Sequence, residues 1–263
     1  MNTPTIVMSI GGSDSGAGAG IQSDLKTLAA HRVYATTVIT TVTAQNTHGV
    51  TKAVAIDEAI VKAQLNALVK DLAPAATKTG LLGSATIAMM IAAMASQLGD
   101  LVVDPVLANR AGEVLADDGT IEAYRTTLIP TATLATPNHR EASLLADRPV
   151  RDLTEQREVA EELARACGTP ILVTGGRLGA HQPVDVLSDG YETHDLLGRW
   201  VSSRNVHGTG DALSASIAAR LANGAGLLVA ASEAKAWVAR AIAGGADWRL
   251  GSGEGPIDHF GWA

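Results

Sequence analysis

The segment "HGTGDAL", His207 to Leu213, carries the residue types that a group-transfer site needs, closely spaced. Gly208 and Gly210 free successive backbone N–H groups to converge on one point, and the helix that follows adds its positive N-terminal end. Asp211 falls in the first turn of that helix, beside the nest. Such a nest takes a transferring phosphoryl group, and the carboxylate accepts the proton of an acceptor alcohol. Taken by itself the motif is equally a helix start in which Asp211 is the cap, so both roles stay open at this level.

A second glycine run, "GGSDSGAGAG" from Gly11 to Gly20, follows an apolar stretch and enters a helix, the setting of a phosphate-binding loop. It is not a Walker A loop, because Ala17 and Gly18 stand where Lys and Ser or Thr are needed. It also departs from the dinucleotide fingerprint: its glycines alternate at 16, 18 and 20, and "TVTAQN" ends the next strand without an acid for a ribose. A tight turn that brings helix against strand is the other reading. "VVDPV" and "TPNHREA" set Asp104 and Glu141 beyond apolar strands as hard oxygen donors of the kind Mg²⁺ favours, and each also reads as a helix cap. The seven histidines include no pair at metal-ligand spacing near a thiol, which argues against a structural zinc site, and there is no G-x-S-x-G elbow for a serine hydrolase.

The elements that position these residues alternate. "TIVMSI", "ATTVITTVT", "DLVVDPV", "TATLATPN" and "PILVTGG" read as strands, separated by helical stretches, the pattern of a parallel sheet wrapped by helices. A helix is predicted from Asp57 to Leu72 with Ile60, Leu65, Leu68 and Leu72 on its buried face. Another is predicted from Thr154 to Ala166, opening on the capping-box-like "TEQRE". "VDVLS" and "YETHDL", joined at Asp189-Gly190, predict an antiparallel hairpin at the sheet edge. Two Ala-rich helices, about Gly210 to Ala222 and Leu227 to Gly244, close the chain. In open parallel sheets ligands bind beyond the carboxyl ends of the strands. Those positions hold Ser13, Asp14, Gln45, Asn46, Lys78, Asp104, Asn138, Glu141 and Thr174, and six strand ends offering amides, acids and a lysine favour one shared cleft.

Composition narrows the partners. A net charge of -7 argues against nucleic acid or an anionic membrane surface, both of which select a basic face. The longest apolar stretch, "ATIAMMIAAMA", is too short to span a bilayer and reads as a buried helix. With Cys167 as the sole cysteine there is no disulfide framework, and a reducing cytoplasm is the expected compartment. The 263 residues are read as one α/β domain.

Along nearly the whole chain the ordered segments "SIGGSDSGAGAGIQSDLKT", "VITTVTAQNTHGV", "KTGLLG", "VVDPV", "TPNHREA", "NVHGTGDALSASIAA" and "SEAKAW" resemble the hydroxymethylpyrimidine/phosphomethylpyrimidine kinases of thiamine biosynthesis, in the ribokinase-like superfamily. The resemblance implies a three-layer sandwich, a central mostly parallel sheet between helices with no separate lid domain, usually a homodimer. It implies ATP- and Mg²⁺-dependent phosphorylation of the pyrimidine's hydroxymethyl group and then of the monophosphate. Carried over, Gly12, Ala19, Asp24, Gln45, Leu81 and Val106 match the pyrimidine pocket, with Gln45 answering a donor-acceptor edge of the ring. Asp104, Asn138, Glu141 and Thr174 match positions near the triphosphate and Mg²⁺, while Gly208, Thr209 and Gly210 match the anion hole beside Asp211. Three positions depart from the family, which usually has Cys for Asp211, often Lys for Thr174, and Met for Leu81. Asp at the base position is the rule in sugar and many pyridoxal kinases, so a pyridoxal kinase is the nearest alternative. A non-catalytic pyrimidine-binding sensor is the alternative of another class.

Overall fold

The alternating runs fold as alternating elements. In the computed structural model, which describes residues 3–109, 112–176, 178 and 182–263, the order is β1 (Ile6–Asp14), α1 (Gly20–Ala30), β2 (Tyr34–Asn46), β3 (Gly49–Ala55), α2 (Glu58–Asp71), β4 (Ala76–Thr79), α3 (Ala85–Met94), β5 (Asp100–Val103), α4 (Asp118–Ala123), β6 (Leu134–Ala135), α5 (His139–Ala146), α6 (Leu153–Cys167), β7 (Ile171–Thr174), β8 (Val184–Ser188), β9 (Thr193–Leu197), α7 (Thr209–Ala222) and α8 (Leu227–Gly244). The strands make one sheet in the order β3-β2-β1-β4-β5-β6-β7-β8-β9. From β2 through β7 every pairing is parallel. The edges β3, β8 and β9 are antiparallel. After β1 the chain builds β2 and β3 on one side and then crosses to β4 on the other. The strand order therefore reverses between β1 and β4, and a crevice opens beyond their carboxyl ends.

Helices cover both faces. On one, α2, α3, α5 and α6 bury Leu65, Ile91, Leu145 and Val159 against the sheet. On the other, α1, α7 and α8 bury Leu28, Ile217 and Ala234. Alanines make α7 a close-fitting central helix: Ala212, Ala215, Ala218 and Ala219 are wholly buried, and it packs across β1, β4 and β5.

Several expectations need correction. In α2 Leu65 is buried and Leu68 packs against the core as expected, but Ile60 is exposed and Val61 takes the buried position at the start of the stripe. The cap of α6 is Asp152, whose carboxylate accepts the Glu155 N–H at 2.9 Å, not Thr154. Strand β3 was not expected, because all seven of its residues are exposed and no buried face leaves a period-two pattern. The hairpin at Asp189-Gly190 forms as predicted, with Asp189 Oδ1 accepting the Tyr191 and Glu192 N–H groups.

Two histidines are built into the α1, α7 and α8 layer. His31 Nε2 lies 2.8 Å from the Ser216 hydroxyl and His259 Nε2 lies 3.0 Å from the Ser23 hydroxyl, with Trp237 between the two rings. Burial holds both imidazoles down to about 4, helped by Arg220 and Arg240 at His31 and by Lys26 at His259. The fold holds the neutral form, whereas the unfolded chain takes up the proton near pH 6.5. Their contribution is fully present above pH 6.5 and is lost as the pH falls toward 4. Discounted for partial solvent access, the pair is worth about 3 kcal/mol. Melting temperature is accordingly expected to drop between pH 7 and pH 4.5, and His31→Gln/His259→Gln should flatten that drop. An equally steep drop in the variant excludes these histidines as its source.

Candidate functional site

The two glycine-rich segments turn out to be one structure. Gly208 adopts φ +79°, and a Cβ there would overlap the Gly18 carbonyl oxygen. A Cβ on Gly18 would in turn enter the His207 ring. Only glycine lets these loops lie against each other. The first loop is closed on itself: the Asp14 carboxylate accepts the N–H groups of Gly16 at 2.7 Å, Gly18 at 3.0 Å and Ala19 at 2.9 Å. Burial raises the Asp14 carboxyl, but the His207 contact at 3.3 Å and these N–H groups outweigh it and hold it below the ordinary range. An internal carboxylate thus fills the place of an anion in the Gly11–Gly20 loop, and the tight-turn reading describes it.

The second segment is different. Gly208 precedes α7 with no side-chain cap, and a Cβ on Gly210 would meet nothing within 4 Å. The first-turn N–H groups of a helix have no intrahelical partners; that of Thr209 reaches the Val206 carbonyl at 3.4 Å, while Gly210 is exposed at the start of α7. Asp211 does not cap them. Its Oδ1 accepts from Lys78 Nζ at 2.8 Å and its Oδ2 accepts the Gly20 N–H at 3.2 Å, with the side chain 17% exposed at the crevice. The capping role is therefore not the one the structure gives it.

Beneath Asp211 lies a buried charge cluster. Lys78, on β4, is wholly buried, and its ammonium also reaches both Asp24 oxygens at 3.0 Å; Ser9 donates to Asp24 at 2.6 Å. Gly80 keeps the passage open, since a Cβ there would come within 3.1 Å of Lys78 Nζ. One turn along α7 from Asp211, the Ser214 hydroxyl donates to Asp104 Oδ2 at 2.9 Å, which joins the end of β5 to the same helix face. Burial pushes Asp24 up to about 7 and Asp104 up to about 6, with Lys78 opposing and Asp211 adding in each case. Burial also opposes the ammonium of Lys78, but Asp211, Asp24 and Asp104 outweigh it and hold its pKa well above the usual lysine value.

Of the residues expected at the site, the structure gathers Gly12, Ala19, Gln45, Leu81, Asp104, Gly208, Gly210 and Asp211 around the β1–β4 crevice. Gly12 backs onto Leu81, with 3.5 Å between its Cβ position and Leu81 Cδ2. Gln45 Nε2 lies 3.0 Å from His207 Nε2, and its Oε1 accepts from Thr43 at 3.2 Å. Thr209 begins α7, and Val106 is half-buried two residues beyond Asp104. Asn138 and Thr174 sit side by side, bridged at the ends of β6 and β7. Asp24 is wholly buried, between Ser9 and Lys78. Glu141 is likewise engaged, forming a capping box in which it accepts the Asn138 N–H at 2.9 Å. Burial and the neighbouring Asp104 push its carboxyl well above the ordinary range.

Among the described residues no group of three His, Cys, Asp or Glu side chains is arranged to hold a metal alone. Asp104 and Glu141 nevertheless suit Mg²⁺, which takes one or two carboxylates and completes its shell with water and phosphate. Asp104 raises the pKa of Glu141, and a divalent cation relieves that repulsion. Lys78 is the residue of this cluster whose place sequence reasoning left open; its signal is a lysine inside the short strand "ATKT", where burial of a charge demands a partner.

The arrangement can hold an anion at the Gly208–Gly210 N–H groups with a carboxylate alongside, which is the equipment of phosphoryl transfer. Comparison with known proteins agrees. The family model for phosphomethylpyrimidine kinase matches residues 14–258. The chain is 42% identical to the hydroxymethylpyrimidine/phosphomethylpyrimidine kinase of Synechococcus elongatus, with 97% of each covered. Among solved structures, the ADP complex of Bacillus subtilis pyridoxal kinase is similar at a TM-score of 0.90 and 33% identity, covering 98% of each chain. Phosphomethylpyrimidine kinase from Clostridium difficile is similar at a TM-score of 0.79 and 32% identity, covering 90% of this chain and 99% of that one. The architecture is the ribokinase-like sandwich of these kinases, and the chain belongs to the phosphomethylpyrimidine kinase family.

Proposed function

We propose that the protein phosphorylates 4-amino-5-hydroxymethyl-2-methylpyrimidine and then its monophosphate, using ATP and Mg²⁺. The observation that carries this reading is the exposed start of α7 at Gly210, which no side chain caps, with the Asp211 carboxylate beside it at the crevice. The γ-phosphoryl group rests on the nest. The acceptor hydroxyl lies against Asp211, its oxygen bonds to phosphorus, the bond to ADP breaks, and the hydroxyl proton passes to the Asp211 carboxylate. Asp104 and Glu141 would hold Mg²⁺, which would supply charge neutralisation to the phosphates. Asn138 and Thr174 flank the nucleotide, and Gln45 pairs the ring edge. We read residues 1–263 as one kinase domain, which the single nine-stranded sheet supports. Exposed Val42, Val50 and Val54 on the β2–β3 edge support a homodimer, which the molar mass in solution tests.

A pyridoxal kinase is the second reading, favoured by the higher TM-score of the Bacillus subtilis structure and by the carboxylate at 211. Offering both acceptors with ATP separates them: the hydroxymethylpyrimidine should give the higher kcat/KM, and a strong preference for pyridoxal would reverse the assignment. Gln45→Ala should lower kcat/KM for the pyrimidine about ten- to a hundred-fold while leaving the KM for ATP nearly unchanged. An unanswered polar edge in a closed site costs about 1 to 3 kcal/mol per group. Unaltered acceptor kinetics in that variant remove Gln45 from the pocket.

A further inference from the structure

We infer that Lys78 is a positioning residue for phosphoryl transfer: anchored by Asp24, it draws the Asp211 carboxylate off the start of α7, so that the base faces the crevice and the nest stays open. This rests on the reading of Asp211 as the base. A carboxylate in the first turn of a helix ordinarily turns back onto the unpaired N–H groups there, which it satisfies at no cost in distance. Had Asp211 done so, it would fill its own nest as Asp14 fills the loop at Gly16–Ala19. It does not, and the 2.8 Å contact to Lys78 Nζ, with the Gly20 N–H on the other oxygen, is the reason.

Neutralisation of Asp24 alone does not explain the lysine. Nζ is shared between two carboxylates, and its contact to the partly exposed partner, Asp211, is shorter than the 3.0 Å contacts to the wholly buried one. The chain of contacts runs from the Ser9 hydroxyl to Asp24, to Lys78, to Asp211, so β1, α1 and β4 together set one side chain on α7. Ser9, Asp24 and Lys78 are wholly buried, and the Gly80 position leaves the ammonium its path to Asp211. A positioning residue acts only through the group it positions, which separates it from one that merely supports the fold.

The test is a double-mutant cycle. Lys78→Met/Asp24→Asn removes the ammonium and its anchor together, so no lone charge is left in the core by that pair. In the otherwise unaltered enzyme it should lower kcat about tenfold or more. Combined with Asp211→Asn it should change kcat by less than about twofold, because the carboxylate it acts through is gone. The same loss in both backgrounds, or no loss in either, overturns the inference while leaving the base intact. If Asp211→Asn by itself turns over normally, the base reading fails first and takes the inference with it. Where the pair does not fold, Ser9→Ala stands in: it loosens Asp24 without altering charge, and a loss of about two- to fivefold in kcat, absent in the Asp211→Asn background, supports the inference. Equal losses overturn it.

Discussion

Asp211→Asn is expected to turn over about a hundred- to ten-thousand-fold more slowly than the parent enzyme, the usual worth of a general base, with melting temperature and ATP affinity close to the parent values. The amide keeps the size of the carboxylate, and its oxygen can still accept from Lys78 or from the Gly20 N–H. It cannot take a proton from the acceptor hydroxyl. Because the transition state is loose and the proton leaves late, the base need not be strong, and a carboxylate beside an ammonium serves. Steady-state kinetics on purified variant and a thermal melt decide the matter. Normal kcat in a folded Asp211→Asn would show that the carboxylate is structural. Asp211→Cys, which restores the residue usual in the family, should keep measurable pyrimidine kinase activity.

The second large effect is a contrast between two glycines a residue apart. Gly208→Ala forces a side chain into φ +79° and against the Gly18 carbonyl, so the Gly16–Gly20 loop must move. Strain and clash together should cost about 3 kcal/mol or more, lowering the melting temperature by about 6 to 12 °C. Gly210→Ala meets open space, and in the first turn of a helix alanine is tolerated at least as well as glycine, so the fold should melt at the parent temperature or slightly above. Its methyl group stands where the nest opens, so kcat/KM for ATP should drop about tenfold to a hundredfold. A Gly210→Ala enzyme with unchanged ATP kinetics takes the nest out of the phosphoryl path. A Gly208→Ala enzyme of unchanged stability contradicts the interlocked loops.

Much of this was legible in the residues. The alternation of β-branched runs with helical periods carries the sandwich, and α7 and α8 fall within a residue of their expected limits because alanine-rich amphipathic stretches end at glycines. Motif spacing located Gly208, Gly210 and Asp211. What the sequence left open depends on contacts between distant segments. Whether Asp211 caps α7 turns on Lys78, which is 133 residues away. Whether the Gly11–Gly20 loop binds a ligand turns on which way the Asp14 side chain points. Asp24 and Glu141 carry the right chemistry for ligands, but the sequence does not disclose the partners each already has: Lys78 and Ser9 for Asp24, and the Asn138 N–H at the start of α5 for one oxygen of Glu141. Composition identifies a donor but not whether it is free.

The bond from the Gly20 N–H to Asp211 spans 191 residues of chain. Loops of that length close slowly, and the contact exists only after β4 and β5 have been laid beside β1 and α7 has been seated across them. During synthesis the strands through β7 are all available before the nest has been translated. The site therefore has no local precursor: no fragment that stops short of residue 211 contains both a base and an anion hole. The proposed site is assembled late, after the strands of the sheet beneath it have all been made.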